Sequence, residues 1–442
     1  MLHKLEEKKS ELYKIRDYKL KGEIIRSRTQ WMKYGEKPTK FFCQLEKKNF
    51  LDKTIKKISL ENGKFVTTQN EILNHVRLYY QNLFKSRDSS LSDADLDELL
   101  KDIPINKLDE KDNCLLEGSL TISELGEALK NMKHNKTPGI DGFSAEFYKV
   151  FWGKLKFLVT RVLNYSCDTG KLPISLRQSI ISCIPKGDKQ RDLLKNWRPI
   201  SLLSVLYKVM SAALVNRTKK VLDKLISDSQ TGFIKGRYIG ESIRLVYDIM
   251  NYCDTKYKTG LLMLIDFEKA FDSISWKFIY KVLEFFKFPV SYIKWIKLLN
   301  TSSVAAIIQV GVKSDFLKIE RGCKQGDPIA PYLFILCAQI MCYMIKHNDN
   351  IKGIFIGKNE FKITQFADDT TLFLDGSQLS LQHALNTIEI FGSFSGLKIN
   401  TSKTKLIWIG KKKHSGEKLN VQYQLDWNIT QFQLGSIFCE FE

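Results

Sequence analysis

A short apolar run that ends in an aspartate places the strongest constraint on how this chain folds. Residues 261–265 read LLMLI, and Asp266 follows directly. A run of this length without a polar residue is typical of a strand buried on both faces. The next residues predict a helix that begins at the N-cap Ser275 and turns back across the sheet. Asp266 would then be held where a strand leaves the core, although it is equally consistent with a strand that simply ends in solvent.

A second acidic position lies in a predicted hairpin. Residues 363–374 read ITQFADDTTLFL, so two β-prone runs flank Asp368 and Asp369. Aspartate is an ordinary turn former, which leaves a purely structural turn open. Adjacent carboxylates in an apolar hairpin repel each other, however, and a divalent cation would remove that conflict. If the hairpin lies beside the first strand, Asp266 and Asp368 can together hold two Mg²⁺ ions about 3.5–4 Å apart, an arrangement suited to phosphoryl transfer.

A glycine-rich segment forms a third candidate site. Residues 321–331 read RGCKQGDPIAP, and Gly322 and Gly326 would let the backbone approach a ligand closely. Asp327 as a cap and Pro328 at the first helical position predict a helix N-terminus behind a flexible loop, which favours a polar or anionic ligand. A structural turn before a core helix would look similar. The uncharged stretch 328–345 is long enough to span a membrane, but its prolines and Gln339 favour a buried helix.

The charge of the chain indicates a polyanionic partner. Lys and Arg number 69 against 49 Asp and Glu, a net charge of +20. Nucleic acid is the first candidate and an anionic membrane surface the second. Residues 1–60 carry 17 basic and 8 acidic side chains, a net of +9, whereas residues 88–127 carry 3 basic and 12 acidic ones, a net of −9. The acidic stretch predicts a solvated connector with short helices.

The remaining features narrow the class of protein further. The N-terminus mixes both charges without an apolar core, so we expect no signal peptide and an intracellular protein. The nine scattered cysteines predict reduced, mostly buried thiols and neither a disulfide framework nor a zinc site. Strand-like runs at 180–185, 261–265, 304–310 and 371–374 alternate with helical stretches, which favours an α/β or α+β core. Lys186, Arg198 and the basic loop 230–237 would each, taken alone, be read as solvated positions.

Seven segments in this order resemble the polymerase blocks of the reverse transcriptases of non-LTR (LINE-type) retrotransposons. They are NKTPGIDG (135–142), WRPIS (197–201), QTGFIKGR (230–237), DFEKAFD (266–272), QGDP (325–328), FADD (366–369) and GLKINTSKT (396–404). The basic stretch WMKYGEKPTKFF (31–42) also resembles the segment that leads into the polymerase. No single block would suffice, whereas seven in sequence make a chance similarity negligible.

The resemblance implies an α+β right-hand polymerase with fingers and a palm, the palm being an antiparallel sheet backed by helices. It divides the chain into a basic helical N-terminal extension (1–87), an acidic helical connector (88–127), fingers and palm (128–425) and the start of a primer-gripping hairpin (426–442). It implies an RNA template, a DNA primer or target and deoxynucleoside triphosphates as partners, with no membrane. The compartment, nucleus or cytoplasm, follows from the family alone, and the oligomeric state stays open.

The resemblance also implies roles for individual residues. Asp266, Asp368 and Asp369 would be the catalytic carboxylates and ligands of two Mg²⁺ ions, for which Mn²⁺ is a possible substitute. Phe271 would lie under the incoming sugar and exclude a 2′-hydroxyl, and Lys403 is a candidate proton donor to the pyrophosphate. The other residues expected at the nucleotide are Lys186, Arg198, Phe267, Gln325 and Gly326. The expected template or primer contacts are Gln230, Gly232, Phe233, Lys235, Arg237, Leu434 and Gly435.

Two expected parts of the family pattern are missing from the sequence. We find neither an endonuclease before the polymerase blocks nor a helical thumb after them, and a duplex without a thumb loses many phosphate contacts. The leading hypothesis is therefore an RNA-directed DNA polymerase or its fingers and palm. The alternatives are a catalytically silent nucleic-acid-binding remnant and a group II intron-type maturase, which would carry a splicing-specific domain after the palm.

Overall fold

The computed structural model describes residue 8 and residues 54–60, 63–87, 92–101, 103–104, 106–187 and 189–427. The elements before residue 187 are β1 (Ile58–Ser59), β2 (Phe65–Val66), α1 (Gln69–Phe84), α2 (Asp93–Lys101), α3 (Glu110–Cys114), α4 (Ile122–Lys130), α5 (Ala145–Thr169), α6 (Ile174–Arg177) and β3 (Gln178–Pro185). A 3₁₀ turn at Leu194–Asn196 then precedes β4 (Trp197–Leu202), α7 (Val205–Thr218), α8 (Leu222–Leu225), α9 (Ile239–Thr255), β5 (Thr259–Ile265), α10 (Ala270–Ser273), α11 (Trp276–Phe285) and α12 (Val290–Asn300).

The C-terminal part of the described chain completes two sheets. Its elements are β6 (Val304–Gln309), β7 (Val312–Lys318), α13 (Ala330–Lys346), β8 (Ile354–Ile356), β9 (Asn359–Phe361), β10 (Ile363–Phe366), β11 (Asp369–Leu374), α14 (Gln378–Ser395), β12 (Lys405–Gly410) and β13 (Asp426–Trp427). The two larger sheets have the strand orders β10-β11-β5-β12-β13 and β4-β3-β6-β7. The mixed helix and sheet content confirms the α+β prediction at this level.

The predicted apolar strand lies at the centre of the five-stranded sheet. β5 pairs antiparallel with β11 on one side and with β12 on the other. Its side chains alternate between two cores because successive residues of a strand point to opposite faces. Leu261, Met263 and Ile265 pack in the main core, while Leu262 and Leu264 pack in a smaller cluster that includes residues of α9. The run of five apolar residues therefore allows the strand to be buried on both faces.

The four-stranded sheet contains two more of the predicted strands. β3 covers residues 180–185 and pairs antiparallel with β4, and it pairs parallel with β6, which begins at the predicted Val304. Helix α1 packs on this sheet and shares a separate core with it, in which Tyr80 and Trp197 are fully buried. All four strands expected from apolar runs are thus present.

The uncharged stretch near residue 330 forms a buried helix, as predicted. Most residues of α13 are buried, including Gln339, whose Oε1 accepts a hydrogen bond of 3.1 Å from the amide of Ser227. None of the helices in the described ranges combines the length and apolar character needed to span a bilayer. The helix begins at Ala330, two residues after Pro328, and Oδ1 of Asp327 accepts a hydrogen bond of 3.2 Å from the amide of Ile329. Asp327 is buried and accepts hydrogen bonds from the hydroxyls of Tyr207 and Ser211.

The acidic stretch is helical, as expected, and most of its described acidic side chains are exposed. Leucines of α2 and of the turns around α3 lie in the main core, where Leu96 and Leu116 are fully buried. The carboxylates form ion pairs with the body of the protein, and Glu124 lies 2.6 Å from Nε of the buried Arg217. The charged side chains of this stretch thus mostly face solvent, while several leucines between them pack in the main core.

Two other expectations concern the cysteines and the terminal segments of the chain. All seven cysteines in the described ranges are free and six of them are buried, which agrees with the prediction of reduced thiols. Most of the predicted basic extension lies outside these ranges, and so do Leu434 and Gly435 of the expected primer-gripping hairpin.

Candidate active site

The structure brings the two acidic segments together at one end of the five-stranded sheet. Asp266 follows the last residue of β5, and Asp369 is the first residue of β11. The antiparallel pairing joins Ile265 to Thr370, so the next position along the ladder sets Asp266 beside Asp369. Burial raises the pKa of Asp368, and the negative charge of Asp266 raises it further. The predicted proximity of the acidic residues is thus present, and it depends on the register of two strands about 100 residues apart in the chain.

The turn that carries Asp368 is held by the segment that precedes α9. Oε1 of Gln230 accepts hydrogen bonds of 2.8 Å from the amides of both Ala367 and Gly232, and its Nε2 donates to the carbonyl of Ala367 at 3.2 Å. Ala367 has a left-handed backbone with φ 57°, which an alanine rarely adopts without support. A Cβ on residue 232 would lie 2.5 Å from the amide nitrogen of Ala367, so only glycine fits there.

These contacts show what Gln230 bonds within the protein. The side chain is 1% exposed and its amide bonds the backbone of the aspartate turn, while its expected contact with template or primer stays a prediction. Arg237 is also engaged within the protein, because it donates to the carbonyls of Ser227 at 2.6 Å and Gln230 at 2.9 Å. Phe233 and Lys235, by contrast, are exposed on the same loop. Of the described residues expected to contact template or primer, these two remain open to a ligand.

A loop before β12 surrounds Asp266. Nδ2 of Asn400 donates to one carboxylate oxygen of Asp266 at 2.7 Å, and Nζ of Lys403 lies 3.2 Å from the other. The amide of Asp266 donates to Oγ1 of Thr404 at 3.3 Å. Lys403, predicted as a proton donor, is therefore inside the site and partly exposed. Asn400 belongs to the GLKINTSKT segment, yet nothing in the sequence pattern assigned its contact with Asp266.

Basic side chains from three segments, Lys186, Arg198 and Lys403, lie close to the carboxylates. Lys186 follows β3, and Arg198 lies on β4 at the position paired with Ile184. The pKa of Lys186 falls to about 8, first because the ammonium is partly buried and then because Lys269, Lys403 and Arg198 are close to it. Asp266 acts in the opposite direction on the same pKa. The end of the four-stranded sheet that carries Lys186 and Arg198 thus faces the acidic end of the five-stranded sheet.

The other residues expected at a nucleotide divide into two groups. Phe271 is half-buried and stacks on Phe334 with ring centroids 4.5 Å apart, while Gln325 is partly exposed and Gly326 is exposed. Gly326 has φ 110°, and a Cβ there would lie 2.8 Å from the carbonyl oxygen of Ser201. Phe267 is only 7% exposed and belongs to the main core. Its side chain therefore packs in the protein interior, and the expected nucleotide contact stays a prediction.

Sequence reasoning missed two charged side chains behind the site. Asp272 is 3% exposed, and burial raises its pKa to about 6 although Lys269 and the hydrogen bond from Gln325 oppose this. Nζ of Lys269 is buried and has no hydrogen-bond partner among the described residues, and it lies 4.7 Å from the ring centroid of Tyr79. Both residues belong to the DFEKAFD segment. The available signal was an acid and a base one turn apart in an otherwise apolar helix start.

The reverse transcriptase (RNA-dependent DNA polymerase) family matches residues 184–424, which include every described residue discussed at this site except those of α1. The chain is 31% identical over 413 residues to the transposon TX1 uncharacterized 149 kDa protein of Xenopus laevis, an alignment that covers 92% of this chain and 31% of that protein. It is 26% identical over 289 residues to the Pol polyprotein from retrotransposable element R2DM of Drosophila melanogaster, which covers 65% of this chain and 26% of the polyprotein.

A third relative is the RNA-directed DNA polymerase from the mobile element jockey of Drosophila melanogaster. It is 22% identical over 294 residues, which cover 64% of this chain and 31% of the relative. The chain thus spans about a quarter to a third of the length of these relatives. The resemblance to non-LTR retrotransposon enzymes seen in the sequence blocks is confirmed, and the chain belongs to the reverse transcriptase (RNA-dependent DNA polymerase) family.

Proposed function

We propose that this chain catalyses RNA-directed DNA synthesis, adding deoxynucleotides to a primer 3′-hydroxyl on an RNA template. The observation that carries this proposal is the convergence of Asp266 with the Asp368–Asp369 turn at the ends of two neighbouring strands. The names of the relatives and the family match support the same activity. Cations from the second sheet lie opposite the carboxylates, as the binding of a nucleoside triphosphate requires.

The residues present fit two divalent cations. Carboxylate oxygens are the ligands that Mg²⁺ and Mn²⁺ prefer, and the charge of Asp266 raises the pKa of Asp368, a conflict that a cation would relieve. No group of three or more His, Cys, Asp or Glu side chains within the described ranges is already arranged around one ion position. We assign Asp266 and Asp368 as the main ligands and Asp369 as the third, because the ends of β5 and β11 bring these residues together. When bound, such cations lower the pKa of the primer hydroxyl and neutralise charge on the leaving pyrophosphate.

The remaining groups would bind and orient the nucleotide. Arg198 is exposed and Lys186 half-buried, so both can reach a triphosphate, and a guanidinium can bind phosphate oxygens in a bidentate manner. Phe271 would exclude a 2′-hydroxyl because its ring is held against Phe334. Lys403 would give up its bond to Asp266 and donate a proton to the pyrophosphate. These residues would thus act by positioning the nucleotide and by stabilising charge.

We also propose which parts of a polymerase the two sheets and the terminal segments form. The five-stranded sheet would be the palm and the four-stranded sheet would belong to the fingers, and all of their strands except β13 (Asp426–Trp427) lie within residues 128–425. Residues 1–87, 88–127 and 426–442 would be the basic extension, the acidic connector and the start of the primer-gripping hairpin. Phe233 and Lys235 are the described residues that we assign to the template or primer track, because an exposed ring can stack on a base and an exposed ammonium can bind a phosphate.

Primer extension on an RNA template tests the proposal. The chain is incubated with a DNA primer, deoxynucleotides and Mg²⁺, and compared with the variants Asp368→Asn and Asp349→Asn. Asp349 is exposed in the turn after α13, so this variant makes the same chemical change away from the site. We expect extension by the native chain and by Asp349→Asn, and a loss of about 10²–10³-fold for Asp368→Asn, as for removal of a main charge-stabilising group.

Two results would contradict the proposal. Equal product from Asp368→Asn and the native chain would show that the acidic turn is not catalytic. Binding of RNA and DNA without extension by any variant would favour the silent remnant instead. A filter-binding measurement with the same template and primer separates these two results.

A further inference from the structure

The longest helix in the described ranges, α5, exposes an apolar face that its packing does not use. The helix has 25 residues, and its inner face packs in the main core through Tyr148, Val159 and Leu163. The large apolar side chains on its outer face are Val150, Phe151, Phe157, Leu158, Val162 and Tyr165. Two of these rings, Phe157 and Tyr165, are 66% and 68% exposed. From residue 150 to residue 165 this outer face is about 22 Å long, and an exposed apolar stripe of that size is typical of a surface that contacts a partner.

Cations run along the middle of the outer face. Lys154 and Arg161 are seven residues apart, which is about two helical turns, so they lie in one line along the helix. Both are exposed, and neither forms an ion pair or a side-chain hydrogen bond with another described residue. Phe151 and Phe157 stand three residues before and after Lys154, so their rings lie on opposite sides of the line. The outer face therefore combines unpaired positive charge at its centre with exposed rings beside it.

The line of cations ends in a groove at the C-terminal end of α5. The groove has a volume of about 580 Å³, and its lining includes Arg161, Tyr165 and Lys171. Lys171 is exposed and likewise has no ion pair with a residue that the structure describes. A cavity of this size can hold a group as large as a nucleotide. Its exposed ring can stack on a base while its two cations bind phosphates.

The groove is remote from the proposed catalytic site. Leu172 lines the groove, and its carbonyl accepts a hydrogen bond of 2.9 Å from Nε of Arg177, which directly precedes β3. Lys186 follows the other end of the same strand. The eight residues of β3 span about 25 Å. A ligand in the groove would thus lie well away from the proposed nucleotide position.

We infer that the outer face of α5 is a second nucleic-acid site, which binds single-stranded RNA outside the catalytic site. Phosphates would lie along Lys154 and Arg161, and bases would stack on the rings beside them. A single strand can present its bases to such rings, whereas the bases of a duplex are stacked on one another. The choice of RNA rests on the proposed function, because the uncopied part of an RNA template is the strand that stays unpaired.

The charges on the outer face disfavour a protein partner. A helix packed along it would bury Lys154 and Arg161 at the centre of the contact, where an unpaired charge is costly. A second copy of the chain in a symmetric contact would bring two lines of cations together. Residues 147–174 contain one acidic side chain, Asp168, so α5 itself supplies little of the negative charge that such a contact needs. A polyanion supplies that charge along its whole length.

Binding of a fluorescent oligouridine of about 12 nucleotides tests the inference. The full chain is first loaded with an RNA template, a chain-terminated DNA primer and the next deoxynucleotide, so that the catalytic site is occupied. The template ends just beyond the templating base and therefore cannot reach α5. The variants are Tyr165→Ala, Tyr165→Phe and the double variant Lys154→Gln/Arg161→Gln. The matched controls are Tyr257→Ala, in the turn before β5, and Lys358→Gln, in the hairpin of β8 and β9, since both residues are exposed.

Rings and cations should affect binding in different ways. Loss of one stacking ring in Tyr165→Ala should weaken binding at least about fivefold, whereas Tyr165→Phe keeps the ring and should bind like the native chain. The double variant should reduce the slope of log Kd against log salt concentration by about 1.4, since each phosphate contact to a single strand contributes about 0.7. Both controls should match the native chain. All the substituted residues are exposed, so thermal unfolding should show each variant to be folded.

Several results would overturn the inference. Tyr165→Ala could bind as tightly as the native chain, or the double variant could keep the native salt dependence. Inorganic polyphosphate that displaces the probe as readily as unlabelled oligouridine would show that the rings play no part. Tighter binding of oligodeoxyuridine would assign the outer face to DNA. A change from dimer to monomer on Tyr165→Ala, seen by sedimentation without loss of RNA binding, would assign it to a second copy.

Primer extension by the same preparations separates this inference from the proposed function. The variants on α5 should extend a primer on the short template like the native chain, because α5 is remote from the catalytic carboxylates. If the native chain extends no primer but binds oligouridine as expected, the proposed function fails and the second site stands. If it extends the primer but its oligouridine binding does not depend on α5, only the second site is overturned.

Discussion

Replacement of Gln230 by leucine tests whether this residue supports the Asp368–Asp369 turn or contacts a template. The variant keeps a side chain of similar size but removes the acceptor for two amides and the donor to the Ala367 carbonyl. Gly232 and Ala367 are both buried, so water would not readily replace the lost partner. Each buried amide left without a partner costs about 1–3 kcal/mol. If the turn does not relax, the two amides together lower the free energy of unfolding by about 2–6 kcal/mol.

The turn can reduce this cost by relaxing its backbone, and such a relaxation would affect catalysis. Ala367 holds a left-handed backbone, which is unfavourable for a residue with a Cβ by about 1–2 kcal/mol. Without Gln230 the turn can relax toward an ordinary conformation and displace Asp368. A displacement that costs about 1.4 kcal/mol of transition-state stabilisation reduces kcat tenfold. We therefore expect a lower free energy of unfolding, a kcat reduced at least about tenfold, or both.

Urea unfolding and primer-extension kinetics on the same preparations measure the two effects. Asp349→Asn, a change at an exposed residue in the turn after α13, serves as the control and should leave both quantities unchanged. A template contact would produce a different result. If Gln230→Leu unfolds like the native chain and keeps its kcat, while the Kd for template rises, the structural role that we assign to Gln230 is refuted.

Three further predictions follow from the site. Phe271→Val should reduce the preference for deoxynucleotides over ribonucleotides, measured as the ratio of kcat/KM values, and unchanged discrimination would show that the ring does not meet the sugar. Arg198→Ala should raise the apparent KM for deoxynucleotides with little change in unfolding, since Arg198 is exposed; a larger effect on template binding would move it to the template track. Burial raises the pKa of Asp272 from 3.8 to about 6, so the folded state binds a proton more tightly than the unfolded state. Its contribution should therefore lower stability as pH rises from about 4 to 6, by at most about 3 kcal/mol. Urea unfolding across this range should show a smaller decrease for Asp272→Asn, and identical pH profiles would contradict the shift.

Local patterns in the sequence predicted the elements that frame the site. The LLMLI run predicted a strand with both faces buried, and β5 is the central strand of its sheet. The paired β-prone runs around Asp368 predicted the hairpin of β10 and β11. Ser275 caps α11 as expected, since its side chain accepts a hydrogen bond of 3.2 Å from the amide of Phe278. These features are decided by periodicity, turn chemistry and capping, which act over a few residues.

Side-chain roles were less predictable because they depend on which distant segments meet. Gln230 and Phe267 lie in segments that match the family. Both side chains are buried, and Gln230 bonds the aspartate turn while Phe267 packs in the core. The charges of the acidic stretch 88–127 predicted contact with solvent, but they did not predict that leucines between them pack in the main core.

The sequence by itself determined that the chain carries the ordered blocks of a reverse transcriptase, with rigidly placed aspartates at a strand end and in a hairpin turn. Only the tertiary structure decided that Asp266 and Asp368 share one site, because strand register between residues about 100 positions apart is not written in either local segment. The contacts of Asn400 with Asp266 and of Gln325 with Asp272 arise in the same way. A hydrogen bond between distant segments exists only once packing has set their distance, and no local pattern contains that distance.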